Sequence, residues 1–156
     1  KVITGIAYTL DDSKITLQSV QDRPGVASSI FKPLYEKNII VDMIVQNISA
    51  DNLKTDVTFT VKRSDFNKTI DIMNTLKSDL NFEKLISNNK VSKLSVIGAG
   101  MITFPGVAYK MFDALSKKNI NILAITTSEI KISVLIDEIN IQNAVSTLHN
   151  VFDLDQ

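Results

Sequence analysis

One segment of about twenty residues occurs twice in this chain. It reads DRPGVASSIFKPLYEKNIIVD from Asp22, and 81 positions later it reads TFPGVAYKMFDALSKKNINIL from Thr103. Without any gap, nine positions are identical, among them Pro-Gly-Val-Ala and Lys-Asn-Ile. Identity in register at a fixed interval indicates a duplicated structural unit. The chain of 156 residues is therefore predicted to form two domains, at residues 13–90 and 91–156, with residues 1–10 as an additional strand.

Composition excludes several classes of function. Seventeen basic residues balance seventeen acidic ones, and no basic cluster offers a surface for a nucleic acid or an anionic membrane. The chain has no cysteine, which removes disulfides, thiolate nucleophiles and cysteine-based zinc sites. No apolar run is long enough to span a bilayer. These features fit a reducing cytosol, and a cytoplasmic location is expected.

Each copy has the pattern of a β-α-β-β-α-β unit. In the first copy the predicted strands are 14–20, 39–48, 56–62 and a short 82–86, with a helix after Gly25 and a second helix capped by Ser64. In the second copy the predicted strands are 93–97, 120–127, 132–136 and 151–154, with helices at 107–117 and from Ile141. This order predicts an α+β fold of two ferredoxin-like domains with antiparallel sheets. The extra strand, Val2 to Thr9, is a candidate to complete the second sheet, which would interleave the domains.

The sequence contains little that could carry catalysis. Its one histidine, His149, lies at helical spacing beside apolar residues, and we interpret it as a structural or surface residue. The Gly98-Ala99-Gly100 segment resembles a dinucleotide-binding turn, but Thr103 stands where a third small residue is needed. There is no P-loop motif either. No catalytic residue, no metal site and no cofactor is therefore expected in this chain.

The repeated Pro-Gly turn is the remaining candidate. A turn that opens a helix presents backbone N–H groups at the positive end of the helix dipole, which suits a small carboxylate. Polar side chains predicted at the adjacent strand end could bind an ammonium group: Asp42, Gln46 and Asn47 in the first copy, and Asn121, Thr127, Ser128 and Glu129 in the second. Together these groups describe a site for a free amino acid. The alternative, a turn that only reverses the chain beside solvated polar residues, is equally compatible with the residues themselves.

A set of segments spread over the whole chain resembles a known family. The segments are Gly-Ile-Ala at the N-terminus, DRPGVA (22–27), VDMIVQN (41–47), TDVTFT (55–60), VIGAGM (96–101), PGVA (105–108) and TSEIKISVLI (127–136). They are similar, in this order, to the tandem ACT domains of aspartate kinase. The resemblance implies a regulatory module, either the small β subunit or the C-terminal region of the full enzyme.

The resemblance also implies a ligand and partners. ACT domains of this kind pair side by side through their sheets and bind lysine, and often threonine, at the interface between ACT domains. A homodimer is therefore expected, together with an aspartate kinase catalytic domain or α subunit as the regulated partner. ATP and Mg²⁺ would belong to that kinase domain, whose phosphate-binding motif is absent here.

The family's effector site and inhibitor-sensitive positions can be carried over residue by residue. In the first copy the effector positions are Asp22, Gly25, Val26, Ala27, Val41, Asp42, Gln46 and Asn47. In the second copy they are Met101, Gly106, Val107, Ala108, Asn121, Ile122, Thr127, Ser128 and Glu129. Ser49 and Thr58 match positions tied to inhibitor sensitivity. The second turn carries Thr103-Phe104 where the first has Asp22-Arg23, a departure that makes it open whether both copies bind the same amino acid.

Two hypotheses follow from the sequence. The first is a regulatory module of aspartate kinase that binds lysine, threonine or both and mediates feedback inhibition. The alternative is a structural dimerisation module whose turns bind no effector.

Overall fold

A computed structural model describes residues 2–99 and 105–154 of the chain. The strands are β1 Ile3–Tyr8, β2 Asp12–Gln21, β3 Val41–Ile48, β4 Lys54–Lys62, β5 Lys84–Gly98, β6 Ala124–Thr127 and β7 Lys131–Asp137. The helices are α1 Val26–Glu36, α2 Phe66–Thr75, α3 Lys77–Leu80, α4 Gly106–Lys117 and α5 Ile141–Val151. The chain divides into two compact units. One consists of residues 11–89, and the other joins the residues up to 10 with those from 90 onward.

The unit of residues 11–89 has the predicted ferredoxin-like arrangement. Its strands follow the order β3-β4-β2-β5, and β4 pairs antiparallel with both of its neighbours. The first helix connects β2 to β3 and the second follows β4, so both crossovers cover one face of the sheet. This is the order that a β-α-β-β-α-β sequence gives when its first and third strands lie in the middle.

Alternating residues of the central strands build the core of this unit. Ile15 and Leu17 of β2 are fully buried together with Val57 and Phe59 of β4. The apolar stripe of α1, at Val26, Ile30 and Leu34, packs in the same cluster. The Phe31 ring meets the Phe59 ring edge to face, with centroids 5.3 Å apart. Every second residue of these strands and every third or fourth residue of the helix are buried, and together they form one apolar layer.

The other unit is completed by the N-terminal strand. Its strand order is β1-β5-β7-β6, with every neighbouring pair antiparallel. Residues Ile3 to Tyr8 pair with Gly98 to Leu94, and Ile3 joins a core cluster that includes Leu94, Val96 and Met111. The strand predicted at 151–154 is wrong, because α5 continues to Val151 and turns follow it. The fourth strand position is filled from the opposite end of the sequence, so the interleaved fold is confirmed.

The structure corrects two further expectations. The strands predicted at 82–86 and 93–97 are parts of one continuous strand, β5, which also includes the polar residues 87–90 between them. Their backbone is used by the sheet, which tolerates polar side chains on exposed positions. Ser64 was expected to cap the second helix, but it lies in a 3₁₀ turn at Arg63–Asp65, and α2 begins at Phe66. The division of the structure at residues 10/11 and 89/90 lies close to the predicted domain limits.

Candidate functional site

The first Pro-Gly turn lies between β2 and α1. Gly25 precedes the helix with φ of 87°, a left-handed conformation that costs glycine nothing and other residues more. The Ser29 hydroxyl donates to the Gly25 carbonyl at 3.1 Å. In the part of the chain that the structure describes, no side chain caps the start of α1. The first turn of this helix also has no acidic residue, so no carboxylate from within the helix neutralises the positive end of its dipole.

The loop between β3 and β4 is bonded to this turn. The Asp22 N–H donates to the Leu53 carbonyl at 2.9 Å. The loop is closed by Ser49, whose N–H donates to the Lys54 carbonyl at 2.8 Å and whose Oγ accepts the Lys54 N–H at 3.1 Å. Turn and loop thus form one continuous surface at one end of the sheet.

Asp51 organises the same loop. Its Oδ1 accepts the Ser49 hydroxyl at 2.6 Å and the Leu53 N–H at 3.0 Å. These two hydrogen bonds, with that of the serine the larger cause, lower the pKa of Asp51 below its usual value. The carboxylate that accepts both bonds is therefore favoured at neutral pH.

A small pocket of about 210 Å³ opens beside the loop. Asn47 and Ser49 line it, and so do Ser19, Lys54 and Asp56. Ser19 has a left-handed φ of 56° at an irregularity in the β2–β4 pairing, and its N–H donates to Asp56 Oδ1 at 2.8 Å. Asp56 thereby holds the bulged strand in place.

The loop between β6 and β7 in the second copy repeats this arrangement with fewer residues. The loop between β6 and β7 is closed by Ser128, whose N–H donates to the Lys131 carbonyl at 2.8 Å. The Ser128 Oγ accepts the N–H groups of Ile130 and Lys131 at 3.4 and 3.2 Å. The Ile130 carbonyl accepts the Gly98 N–H at 2.8 Å. In both copies, then, a loop carbonyl holds the segment that leads into the first helix of the copy.

A larger pocket of about 350 Å³ lies at the start of α4. The residues that line it come from three parts of the unit: Val2 and Ile3 of the N-terminal segment, Pro105, Gly106, Val107 and Lys110 around the helix start, and Val151, Phe152 and Asp153 after α5. Its walls are mainly apolar, with one lysine and one aspartate.

A comparison with protein families assigns this repeated unit. A family model described as an ACT domain matches residues 16–75 and again residues 94–152. The chain belongs to the ACT domain family. Each match covers one copy of the repeated turn together with most of the strands and helices of that copy, so the duplication seen in the sequence is a duplication of ACT domains.

The ACT pair is similar over nearly its whole length to parts of aspartate kinases. An aspartate kinase from Stutzerimonas stutzeri is 45% identical over 154 residues, which cover 99% of this chain and 37% of that protein. A crystal structure of aspartokinase α and β subunits has a TM-score of 0.90 at 40% identity, covering 97% of this chain and 99% of the other. The ligand-free regulatory subunit of aspartate kinase from Thermus thermophilus also has a TM-score of 0.90, at 33% identity and the same coverage. The chain is thus an ACT regulatory region of the aspartate kinase type, and it spans about a third of the length of the curated relatives.

The structure brings together part of the predicted effector site of the first ACT copy. The residues at the turn end of the sheet are Asp22, Gly25, Val26, Ala27, Gln46 and Asn47, with Ser49 beside them. Val41 and Asp42 lie at the other end of β3, because Val41 pairs with Val61 whereas Asn47 pairs with Asp56. Asp42 and Asn47 are five positions apart along the strand, about 17 Å at 3.3 Å per residue. The sequence interpretation that put Asp42 at the strand end next to the turn is therefore wrong within one chain.

Thr58 lies apart from the turn as well. Its hydroxyl bonds that of Thr16 on β2, with 2.8 Å between the oxygens. It points to the face opposite Val57 and Phe59, since neighbouring strand residues alternate between faces. The second ACT copy also has a cross-strand hydroxyl pair, in which the Ser95 and Ser133 oxygens are 2.6 Å apart.

The predicted site of the second ACT copy is divided in the same way. Gly106, Val107 and Ala108 form the start of α4, and Thr127, Ser128 and Glu129 form the nearby end of β6 and its loop. Asn121 and Ile122 follow the other end of α4, where they line a separate pocket of about 430 Å³. Met101 lies outside the described residues, as do Thr103 and Phe104.

Sequence reasoning missed several residues around these turns. Ser19 and Asp56 carry no signal, because a left-handed serine inside a β-prone run looks like ordinary strand. Asp51 lies in a polar loop where an aspartate is expected for its turn-forming tendency alone. Val2, Ile3 and Phe152 come from distant parts of the sequence, and only the pairing of β1 with β5 reveals their proximity to the second turn.

Over residues 2–99 and 105–154, no helix is long and apolar enough to cross a membrane. Within the same ranges, no group of three or more histidine, aspartate or glutamate side chains is placed to hold a metal ion.

Proposed function

We propose that this chain is the effector-binding regulatory module of an aspartate kinase, which binds lysine, threonine or both and mediates feedback inhibition of aspartate-family amino acid synthesis. The observation that carries the proposal is the near-complete overlap with regulatory subunits of aspartate kinase. The regulated partner is a kinase catalytic domain or α subunit. ATP and Mg²⁺ would be bound by that partner, which phosphorylates the aspartate carboxylate.

The chemistry of the turn supports an amino acid as the effector. The uncapped start of α1 offers backbone N–H groups and a positive dipole end to an α-carboxylate. Asp22 contributes a carboxylate at the same end of the sheet, and Gln46 and Asn47 contribute amides. These groups match the opposite charges of a zwitterion, and the absence of net charge on the chain leaves its recognition to local contacts.

The distance of Asp42 from the turn favours a site completed by a second copy of the chain. Among the described residues, β3 pairs only with β4, so its other edge is available for a further strand. A two-fold axis through the middle of β3, near Ile44, would pair two copies of this strand antiparallel. Asp42 would then lie opposite Gln46 of the partner subunit, and each turn would gain a carboxylate from the other chain.

Apolar exposure along this edge supports the same association. Ile44 and Ile48 of β3, which are spaced four residues apart, have exposed fractions of 51% and 50%. Side chains spaced by four share one face of a strand. Burying them between two copies is favourable at about 25 cal/mol per Å² of apolar surface. A homodimer through the β3 edges is therefore part of the proposal.

The direct test is calorimetric titration of the folded chain with lysine and with threonine. We expect at least one of them to bind, and we expect the sedimentation coefficient of the chain to correspond to a dimer. Replacement of Asp42 by Asn should weaken binding by roughly tenfold or more, since a hydrogen bond to a charged group is worth about 1.5–3 kcal/mol. Asp71→Asn is the matched control, because Asp71 is an exposed aspartate of α2 in the same unit.

Two results would contradict the proposal. Equal affinities of the Asp42 and Asp71 variants would remove Asp42 from the site. A folded dimer whose melting temperature ignores millimolar lysine and threonine would instead support the structural dimerisation module, because a ligand selective for the native state must raise stability.

A further inference from the structure

The same backbone hydrogen bond recurs in the two ACT copies. The Asp22 N–H bonds the Leu53 carbonyl in the first copy, and the Gly98 N–H bonds the Ile130 carbonyl in the second. Asp22 follows the last residue of β2 directly, and Gly98 is the last residue of β5. Each bond therefore joins a hairpin loop to the segment that leads into the first helix of its copy. The position of the loop carbonyl determines where that segment starts.

The two loops place this carbonyl with different side chains. In the second copy the three-residue loop, 128–130, is bridged by the Ser128 hydroxyl. In the first copy the loop, 49–53, has two more residues, and the Ser49 hydroxyl accepts the Lys54 N–H instead. Asp51 connects the rest, because its Oδ1 accepts both the Ser49 hydroxyl and the Leu53 N–H.

Hydrogen bonds rather than packing hold the first loop. The Leu53 side chain is 63% exposed, and Asn52 adopts a left-handed φ of 60°. An exposed loop without an apolar anchor is ordered mainly by its polar contacts, which must offset the conformational entropy of its residues. The Asp51 carboxylate supplies two of these contacts through a single oxygen.

We propose that Asp51 is a positioning residue for the effector turn of the first ACT copy. Its Oδ1 fixes the Leu53 amide, and the carbonyl of the same residue fixes the Asp22 amide at the start of the turn. Asp51 thus acts on the turn through Leu53 without contacting the ligand. The proposal rests on the proposed function for the identity of that ligand. Ser49 acts through the same oxygen, and the shorter loop of the second copy has no residue in the position of Asp51.

Two substitutions separate the acceptor oxygen from the charge. Asp51→Ala removes the oxygen that accepts both bonds, whereas Asp51→Asn keeps an Oδ1 acceptor and removes the charge, with an NH₂ group in place of the second oxygen. Asp71→Ala is the control for the loss of one exposed carboxylate from the same unit. The readouts are hydrogen exchange at the Asp22 amide in the unliganded protein and calorimetric affinities for lysine and threonine.

We expect exchange at Asp22 to be roughly five- to tenfold faster in Asp51→Ala, as the loss of about one hydrogen bond implies. Effector affinity should fall roughly three- to tenfold, within the range for residues that modulate a site from outside it. Asp51→Asn and Asp71→Ala should stay close to the wild type in both measurements. The Gly98 amide of the second copy should exchange at an unchanged rate in all variants.

The outcomes distinguish this proposal from the proposed function. If the wild type binds neither amino acid, the effector proposal fails, and the Asp22 exchange rate alone decides whether Asp51 controls the turn. If the Asp22 amide exchanges no faster in Asp51→Ala than in the wild type, the positioning role is overturned. The role is also overturned if the wild type binds an effector and Asp51→Ala, despite faster exchange, binds it with the same affinity. An Asp51→Asn variant as impaired as Asp51→Ala would assign the effect to charge and overturn the role of the acceptor oxygen.

Discussion

Removal of residues 1–10 is expected to unfold the second ACT unit while residues 11–89 keep their structure. β1 is the fourth strand of that unit, and Ile3 is 5% exposed within its core. Val2 and Ile6 pack against the same cluster. Loss of this strand would expose apolar core surface and the edge of β5 that β1 covers. The stability lost in this way is expected to be comparable with the whole free energy of unfolding of a small domain, about 5–15 kcal/mol. Hydrogen exchange should show protection retained at Val57 and Phe59 and lost at Val134 and Leu135.

A point substitution tests the same pairing without shortening the chain. A Cβ atom on Gly98 would overlap the Val2 carbonyl, so Gly98→Ala must displace the start of β1. The cost of such overpacking is typically about 1–3 kcal/mol. Gly5 is the matched control, since it lies in β1 itself and a Cβ there meets nothing within 4 Å. A Gly98→Ala variant as stable as Gly5→Ala would contradict the role given to β1.

Phe59→Ala is expected to destabilise the first ACT unit by about 3–5 kcal/mol, as is usual when a buried aromatic ring is removed. Among the residues that the structure describes, Phe59 is the largest fully buried side chain, and its removal eliminates an edge-to-face contact with Phe31 as well as core packing. Because the unit of residues 11–89 is small, this loss is a large part of its stability. Thermal unfolding followed by circular dichroism, with hydrogen exchange at Leu17, should report a lower midpoint for this unit.

The control for the loss of an aromatic ring is Tyr35→Ala on α1. Tyr35 is 80% exposed, so its removal is expected to change the free energy of unfolding by less than about 0.5 kcal/mol in the monomer. Similar thermal unfolding midpoints for Phe59→Ala and Tyr35→Ala would contradict the contribution of Phe59 to the stability of the core. A loss of dimer in Tyr35→Ala without a change in monomer stability would instead place Tyr35 in the subunit contact.

The apolar periodicity of helices and strands, together with the turn residues between them, predicted most of the fold, because each of these signals depends only on residues close together in sequence. The helix predicted after Gly25 is an example: its apolar stripe at Val26, Ile30 and Leu34 continues past Pro33, and α1 does the same. After the helix, Asn38 adopts a left-handed φ of 59°, a conformation that asparagine tolerates at a helix end. The continuity of β5 was missed because residues 87–90 are polar on both faces, so neither strand nor helix periodicity marks them.

The candidate site was only partly predictable, for reasons of distance. The turn residues were identified because Pro and Gly act locally and the repeat isolates them. The position of Asp42 depends on the length of β3, and a strand of eight residues carries its two ends far apart. The bond from Asp22 to Leu53 joins residues that no sequence pattern connects. The effector site carried over from the family remains a prediction, and only the proposed pairing of two chains would bring Asp42 next to a turn.

The pairing of β1 with β5 also sets a kinetic order for the chain. The Thr4 hydroxyl bonds the Ile97 carbonyl across 93 positions of sequence, a contact whose loop closure is slow when everything between is unfolded. The intervening residues 11–89 form a compact unit of their own, and its β2 and β5 are adjacent strands. Once residues 11–89 have folded, the two ends of that unit are held near each other. β1 and β5 can then pair without closing a long loop of unfolded chain. We therefore expect refolding in two phases, with the slower one reporting on the arrival of β1, and with Phe59→Ala slowing both.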